Sequence, residues 1–391
     1  MKLFKSLLVA PAALGLLSPL SASANQVNIK DISNYSDIEN VDLANSFDKE
    51  ESIESTLFAG GEGLVDTSNY DGGFSETTTA SFGADFVVGA VDGDSTSEAT
   101  SFDYQFGMNL STSFTGEDSL DLTIETGNAA SASATALDMN GMSDTMTLDG
   151  ITYTFPLGDK TTVMVGDSTD VSALYSTSCV YSAFTDLLSN CGSGTAAGLG
   201  GGSDFTASPN SSSSATVAAA YDFGNGFTLA GGLSGSGGDS DGLFTKESKD
   251  VFGVQAAYNT DGYGVSLSYA STDTTSTTES TFWGINGFYA FEGTGLPSIS
   301  VGYESEDPET TATEEGYFVG LTWDEVGPGS VSLGMSSNEN FTSAQTETYT
   351  YEASYTYPIN DGVTITPGIF TKEVASADDE TGFIVKTSFS F

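Results

Sequence analysis

Between Phe102 and Phe114 the chain alternates without a break. Phe102, Tyr104, Phe106, Met108, Leu110, Thr112 and Phe114 fall at every second position, and Asp103, Gln105, Gly107, Asn109, Ser111 and Ser113 lie between them. A period of two is that of a β-strand with one apolar and one wet face. The same test finds strands near 82–91, 118–126, 151–157, 161–166, 214–223, 227–235, 251–258, 263–270, 282–291, 297–304, 316–324, 330–337, 347–357, 363–371 and 382–391. Together with 102–114 this makes about sixteen. An even number of segments, most of them close to the length of a tilted membrane-crossing strand, predicts an all-β fold: a transmembrane antiparallel β-barrel.

The connections support the same reading. Short turns such as Gly224-Asn225-Gly226, Asn259-Thr260-Asp261-Gly262 and Asn360-Asp361-Gly362 supply the positive φ that tight hairpins need. Longer polar stretches follow each odd-numbered strand, near 92–101, 127–150, 167–213, 236–250, 271–281, 305–315, 338–346 and 372–381. Short periplasmic turns alternating with long extracellular loops are the rhythm of an outer-membrane barrel, whereas a soluble sandwich has no reason to alternate its loops. In hydrocarbon every backbone group needs a partner within the protein, so a β-protein spans a bilayer only as a closed barrel. Two aromatic girdles are then expected. Tyr221, Phe223, Phe227, Tyr258, Tyr263, Tyr289, Phe291, Trp323, Tyr355 and Tyr357 lie towards the short turns. Phe102, Tyr269, Trp283, Tyr303, Tyr317, Tyr349 and Tyr351 lie towards the long loops.

Lys2 and Lys5 precede an apolar run from Leu7 to Leu17 and the small-residue site Ser21-Ala22-Ser23-Ala24, the order of a cleaved secretory signal over residues 1–24. Residues 25–75 read as a polar, acidic periplasmic segment and 76–391 as the barrel. The final strand places Phe383, Val385, Thr387, Phe389 and Phe391 on one face. Ending on Phe389 and Phe391, it resembles the assembly signal that bacterial outer-membrane proteins present to the barrel-assembly machinery. Its role is to pair with the first strand and close the sheet.

Composition narrows the function. Asp and Glu number 54 against 9 basic residues, for a net charge of −45; the nine are all lysine, and His and Arg are absent. A nucleic-acid binder needs cations for phosphates, and Ser-His chemistry or His-ligated metals need histidine. A channel requires only a water-filled lumen whose width and charge discriminate between solutes. No catalytic residue, metal site or cofactor is therefore expected.

With the apolar face towards lipid, the opposite parity places Asp85, Asp103, Gln105, Asn109, Asp121, Glu125, Gln255, Asn286, Glu304, Glu352 and Lys386 in the pore lining. Six carboxylates then face one ammonium. The longest loop, near 167–213, holds the only cysteines, Cys179 and Cys191, for which a disulfide is the simplest expectation in an exported chain. The Gly237–Gly242 and Gly198–Gly202 clusters lack the repeat of a calcium-binding roll and the Lys-Ser/Thr of a phosphate loop, and read as flexible loop chemistry.

The leader Met1-Lys2-Leu3-Phe4-Lys5, the stretch Asp31-Ile32-Ser33-Asn34-Tyr35-Ser36 and the ends Ile365–Phe370 and Thr387–Phe391 resemble cyanobacterial outer-membrane porins. That group contains OprB-like carbohydrate-selective and iron-uptake porins. Its members usually carry an S-layer-homology domain and a coiled coil after the leader, where this chain has only about fifty residues. The resemblance implies passive diffusion of small hydrophilic solutes across the outer-membrane lipid. In the trimeric general porins it also implies a homotrimer and a third loop folded into the barrel as the constriction. With the acidic lumen, the expectation is a cation-preferring pore that admits iron. A carbohydrate-selective porin, or a secreted acidic surface protein without a pore, is the alternative.

Overall fold

In a computed structural model, residues 77–93, 98–139, 141, 143–176, 178–188, 214–236, 250–275, 278–291, 293, 295–308, 313–337 and 347–391 are described. The leader and the 25–75 segment lie outside them. The strands are β1 (Thr78–Asp92), β2 (Ser101–Thr112), β3 (Ser119–Gly127), β4 (Thr147–Pro156), β5 (Thr161–Asp167), β6 (Ser214–Gly224), β7 (Phe227–Ser236) and β8 (Asp250–Asn259). They continue as β9 (Tyr263–Thr275), β10 (Thr278–Tyr289), β11 (Ser298–Pro308), β12 (Glu314–Val326), β13 (Gly329–Ser337), β14 (Tyr349–Asn360), β15 (Val363–Lys372) and β16 (Glu380–Ser390). Each pairs antiparallel with its sequence neighbours, and β1 with β16, so the sheet is a closed sixteen-stranded barrel. A single helical turn, α1 (Ala132–Thr135), interrupts the second long loop, capped by the Ser131 hydroxyl, which accepts from the Ala134 N–H.

The two faces separate by burial. On β1, Val87 is fully buried while its neighbour Val88 is 44% exposed, and across the β1–β2 register the exposed face continues through Phe86 and Phe102. The exposed apolar face looks outward, as a lipid-facing wall requires. Rings cluster along it near both rims. Tyr221–Phe223, Phe227–Tyr258 and Tyr355–Tyr357 lie beside short turns, and Tyr269–Trp283 and Tyr317–Tyr349 stand nearer the long loops. The turn between β6 and β7 holds Gly224, Asn225 and Gly226 all at positive φ, a conformation that asparagine tolerates and glycine adopts freely.

The strand pattern departs from expectation at its polar ends. The expected loop 271–281 is mostly strand: β9 runs to Thr275 and β10 starts at Thr278. The stretch 305–315 shrinks to residues 309–313, and β4 begins four residues early beside a bulge at Thr123/Ile124. Between β10 and β11, by contrast, the short-turn side has a connection of residues 290–297, so the loop alternation fails there. These strand ends rise past the apolar band, and their Ser, Thr, Asp and Glu carry no apolar alternation to reveal them.

Closure joins the termini of the sheet. The Phe82 N–H donates to the Phe391 carbonyl at 2.8 Å and the Phe391 N–H to the Phe82 carbonyl at 3.0 Å. The Phe82 and Phe391 rings stack with centroids 5.5 Å apart, and Phe389 meets Phe86 edge-on at 5.8 Å.

Candidate functional site: the lumen and its inward loop

Register fixes which side chains share the inward face. Val87 pairs with Asp103 and Lys386, Asp85 with Gln105, Ser81 with Asn109, and Ser111 with Asp121, while Glu125 lies opposite Gly107. Further round, Gln255 pairs with Ser268, Asn286 with Ser266 and Gly302, Glu304 with Gly284, and Glu352 with Gly334. All eleven residues selected by parity therefore stand on one face, opposite the exposed apolar one. The same register adds residues the sequence reading missed: Asp222 at the end of β6, Glu306 on β11, and Lys372 opposite Glu380 across β15 and β16. Lys372 and Glu380 lay in a stretch expected to be loop, so no parity was assigned to them.

What covers that face divides the eleven. Asp103, Gln255, Asn286, Glu304 and Glu352 are buried, whereas Asp85, Gln105, Asp121, Glu125 and Lys386 are half-buried and Asn109 is exposed. Asp103 lies under the second loop, and the rest of the cover is the chain that follows β5. Near Thr169, whose carbonyl accepts from the Thr216 hydroxyl, it leaves the long-loop end of the wall. It then reaches the short-turn ends of β7 and β8. The Ser176 N–H donates to Gln255 Oε1 at 2.9 Å, the Thr228 hydroxyl to Ser176 Oγ, and Ser178 Oγ to Asn259 Oδ1 at 2.7 Å. From there it climbs across β11, where the Val180 N–H donates to Ser300 Oγ, to β14. The described part of the third long loop, residues 168–176 and 178–188, thus lies inside the barrel against β6–β15.

The wall is shaped for it. Tyr181 lies where a side chain on Gly320 or Gly334 would stand, and Phe184 occupies the notch at Gly368. At Gly232 a Cβ would come within 2.7 Å of the Val171 carbonyl oxygen, so there the loop backbone itself rests on the sheet. Val171 joins Val251, Ala270 and Phe282 in one buried cluster, and Phe184 joins Val87, Val91, Ala136, Phe370 and Ile384 in another. Apolar inward residues that would be misplaced in a water-filled tube are the floor on which the loops pack.

Glu352 is the polar anchor of this loop. Its Oε1 accepts from Tyr181 OH and the Phe184 N–H, each at 2.7 Å, and its Oε2 from the Thr185 N–H at 2.9 Å and the Thr185 hydroxyl at 2.6 Å. Burial and then the adjacent carboxylate hold the Tyr181 phenol well above its ordinary value, so it stays a donor. Asp103 does similar work for the second loop, accepting from Ser131 at 2.5 Å. Asn286 accepts from Ser266 and belongs to the wall itself. Beside the open lumen the two loops meet, with the Asp186 N–H donating to the Ala136 carbonyl at 3.0 Å. Burial first, and then Asp138, raise the Asp186 carboxyl above the usual carboxylate range. Cys179 is disulfide-bonded, and Cys191 lies outside the described residues. Among the described residues no cluster of three or more metal-ligating side chains is present.

A closed barrel of sixteen strands with a long loop packed inside is a channel architecture, and comparison with known proteins decides its family. A model of the Gram-negative porin family matches residues 67–369. The chain belongs to that family. As a porin it is an outer-membrane channel protein, of a class that is generally non-enzymatic. Its fold is similar to that of Pseudomonas putida OprB, with a TM-score of 0.57, 11% identity and coverage of 81% of this chain and 94% of that one. A substituted form of the Rh. blastica porin aligns at a TM-score of 0.51 with 16% identity, over 80% of this chain and 100% of the other. No curated protein sequence matches it.

Proposed function

We propose that this porin passes small hydrophilic solutes and inorganic ions passively, favours cations, and takes its solute path along the inner faces of β1–β4 and β16 towards the short-turn side, clear of the buried Val87, Val91 and Asp103. The carrying observation is the asymmetry of burial. Gln255, Asn286, Glu304 and Glu352 are buried on the side against which the described part of the third loop packs, while Asp85, Gln105, Asn109, Asp121, Glu125 and Lys386 on β1–β3 and β16 are half-buried or exposed. Three of those six are carboxylates and one is an ammonium. Lys372 and Lys386 are the only lysines that the register puts on the inward face among the described residues. A lumen of one sign concentrates counter-ions, and charge acts best where the path narrows to within a Debye length of the wall. The third loop, tied to the second at Asp186, is the constriction.

Iron is an admissible cargo under this reading, as one small cation among others. Homotrimer formation and delivery by the barrel-assembly machinery belong to the same proposal, supported by family membership and by the closing strand that ends in Phe389 and Phe391. Sugars are the second reading, which rests on the sequence resemblance to OprB-like carbohydrate-selective porins. Single-channel conductance of the purified protein in planar bilayers tests the channel and separates the solutes. A channel without a sugar site keeps its ionic conductance when glucose or maltose is added, apart from the change in solution conductivity. Saturable block by sugar would favour the second reading, and absence of conductance would overturn both.

A further inference from the structure

Building on the channel reading, we propose that Glu352 is the positioning residue of the constriction: by gripping residues 181–185 it sets where Asp186 stands, and so sets both bore and charge at the narrowest part. Glu352 is 5% exposed, and both oxygens are occupied by donors from a single short stretch of the third loop. Two of those donors are consecutive backbone N–H groups, which fix main-chain orientation and not merely a rotamer. A buried carboxylate without donors is costly, so the loop and the charge hold each other in place. Phe184, seated at Gly368, adds shape but no direction, because a ring in an apolar notch can slide. The next residue after the grip is Asp186, whose N–H reaches across to Ala136 and whose carboxyl feels Asp138. Displacing residues 184–185 therefore displaces the exposed loop charge at Asp186 that adjoins the second loop.

The test compares the full-length parent, Glu352→Gln, Asp186→Asn and the double variant in planar bilayers. Hydrogen exchange of the 181–188 peptide is followed in parallel. Glu352→Gln replaces one acceptor oxygen by a donor facing N–H groups, and the barrel is checked by its heat-dependent shift on a gel. The expected result is a folded barrel with faster exchange at residues 184–185, noisier and altered conductance, and loss of the reversal-potential change that Asp186→Asn produces in the parent. Should Glu352→Gln fail to fold, the pair Tyr181→Phe and Thr185→Val removes two of the four donors from the loop side and is expected to act likewise. If the parent conducts while the variant keeps parental noise, exchange and Asp186 dependence, the positioning role is overturned. A parent that does not conduct overturns the channel reading instead, and the exchange data still report whether the grip exists.

Discussion

Asp118 shows how a single carboxylate organises a turn. It accepts from the Ser113 and Thr115 hydroxyls, the Phe114 and Thr115 N–H groups, and Tyr153 OH at 2.7 Å. Burial works to raise its pKa, yet the Tyr153, Thr115 and Ser113 donors outweigh it and leave the carboxyl well below the ordinary range. A depressed folded pKa means that the stabilisation is present above the ordinary value near 4 and is lost as pH falls towards the depressed one. Asp118→Asn is expected to lower the temperature at which the barrel unfolds on a gel at pH 7, with the gap to the parent narrowing below about pH 4. An unchanged gap across that range would contradict this. Asp186 behaves oppositely. Its raised pKa leaves it charged, and contributing to cation preference, only above that raised value, so selectivity should weaken on acidification before ordinary carboxylates titrate. Asp186→Asn should flatten that part of the pH profile of the reversal potential. At this scale parity was legible in the sequence: Asp85 and Glu352 were both assigned to the inward face. Their different fates were not, because nothing local announces that Phe184 and Thr185, far away in the chain, come to rest on Glu352.

Strands were the most legible elements, because each carries its own period. All sixteen were identified, and the errors sit where the period fades, as in the Thr-rich ends of β9 and β10 and the early start of β4. The closing strand was legible from Phe383 to Phe391, and its partner was supplied by topology. Removing Phe389–Phe391 deletes both ring contacts with β1 and the paired Phe82–Phe391 hydrogen bonds, exposing two sheet edges. That truncation is expected to be degraded or left in the periplasm, and normal yield in the outer membrane would contradict it. In the third loop, Gly232→Ala should push the Val171 backbone off the wall and loosen the loop without opening the barrel. Faster proteolysis of the loop with an intact heat-shifted barrel is the expected readout. The Cys179–Cys191 pairing, expected from the sequence, would contribute about 3 kcal/mol on a chain-entropy estimate. Mass spectrometry of non-reduced peptides reads the pairing directly.

At the scale of the barrel, closed topology and the described part of the inward loop together leave the two sides of the inner wall unequally covered. The tube was readable from alternation, turns and girdles. An inward third loop was implied only by the family resemblance, and the residues it packs on were not legible, because Val87, Ile384 and Phe370 owe their place on the inward face to loops distant in sequence. On the proposed function, the less covered side of the wall, carrying Asp85, Asp121 and Glu125, makes this porin prefer cations. The most direct measurement is the reversal potential of the purified protein across a salt gradient, repeated after replacing those three acids with their amides. Cation preference in the parent, reduced in the triple variant and weakened further as salt shortens the screening length, is the predicted result. Anion preference in the parent would contradict the claim, and undiminished cation preference in the variant would place the selective charge elsewhere than on that wall.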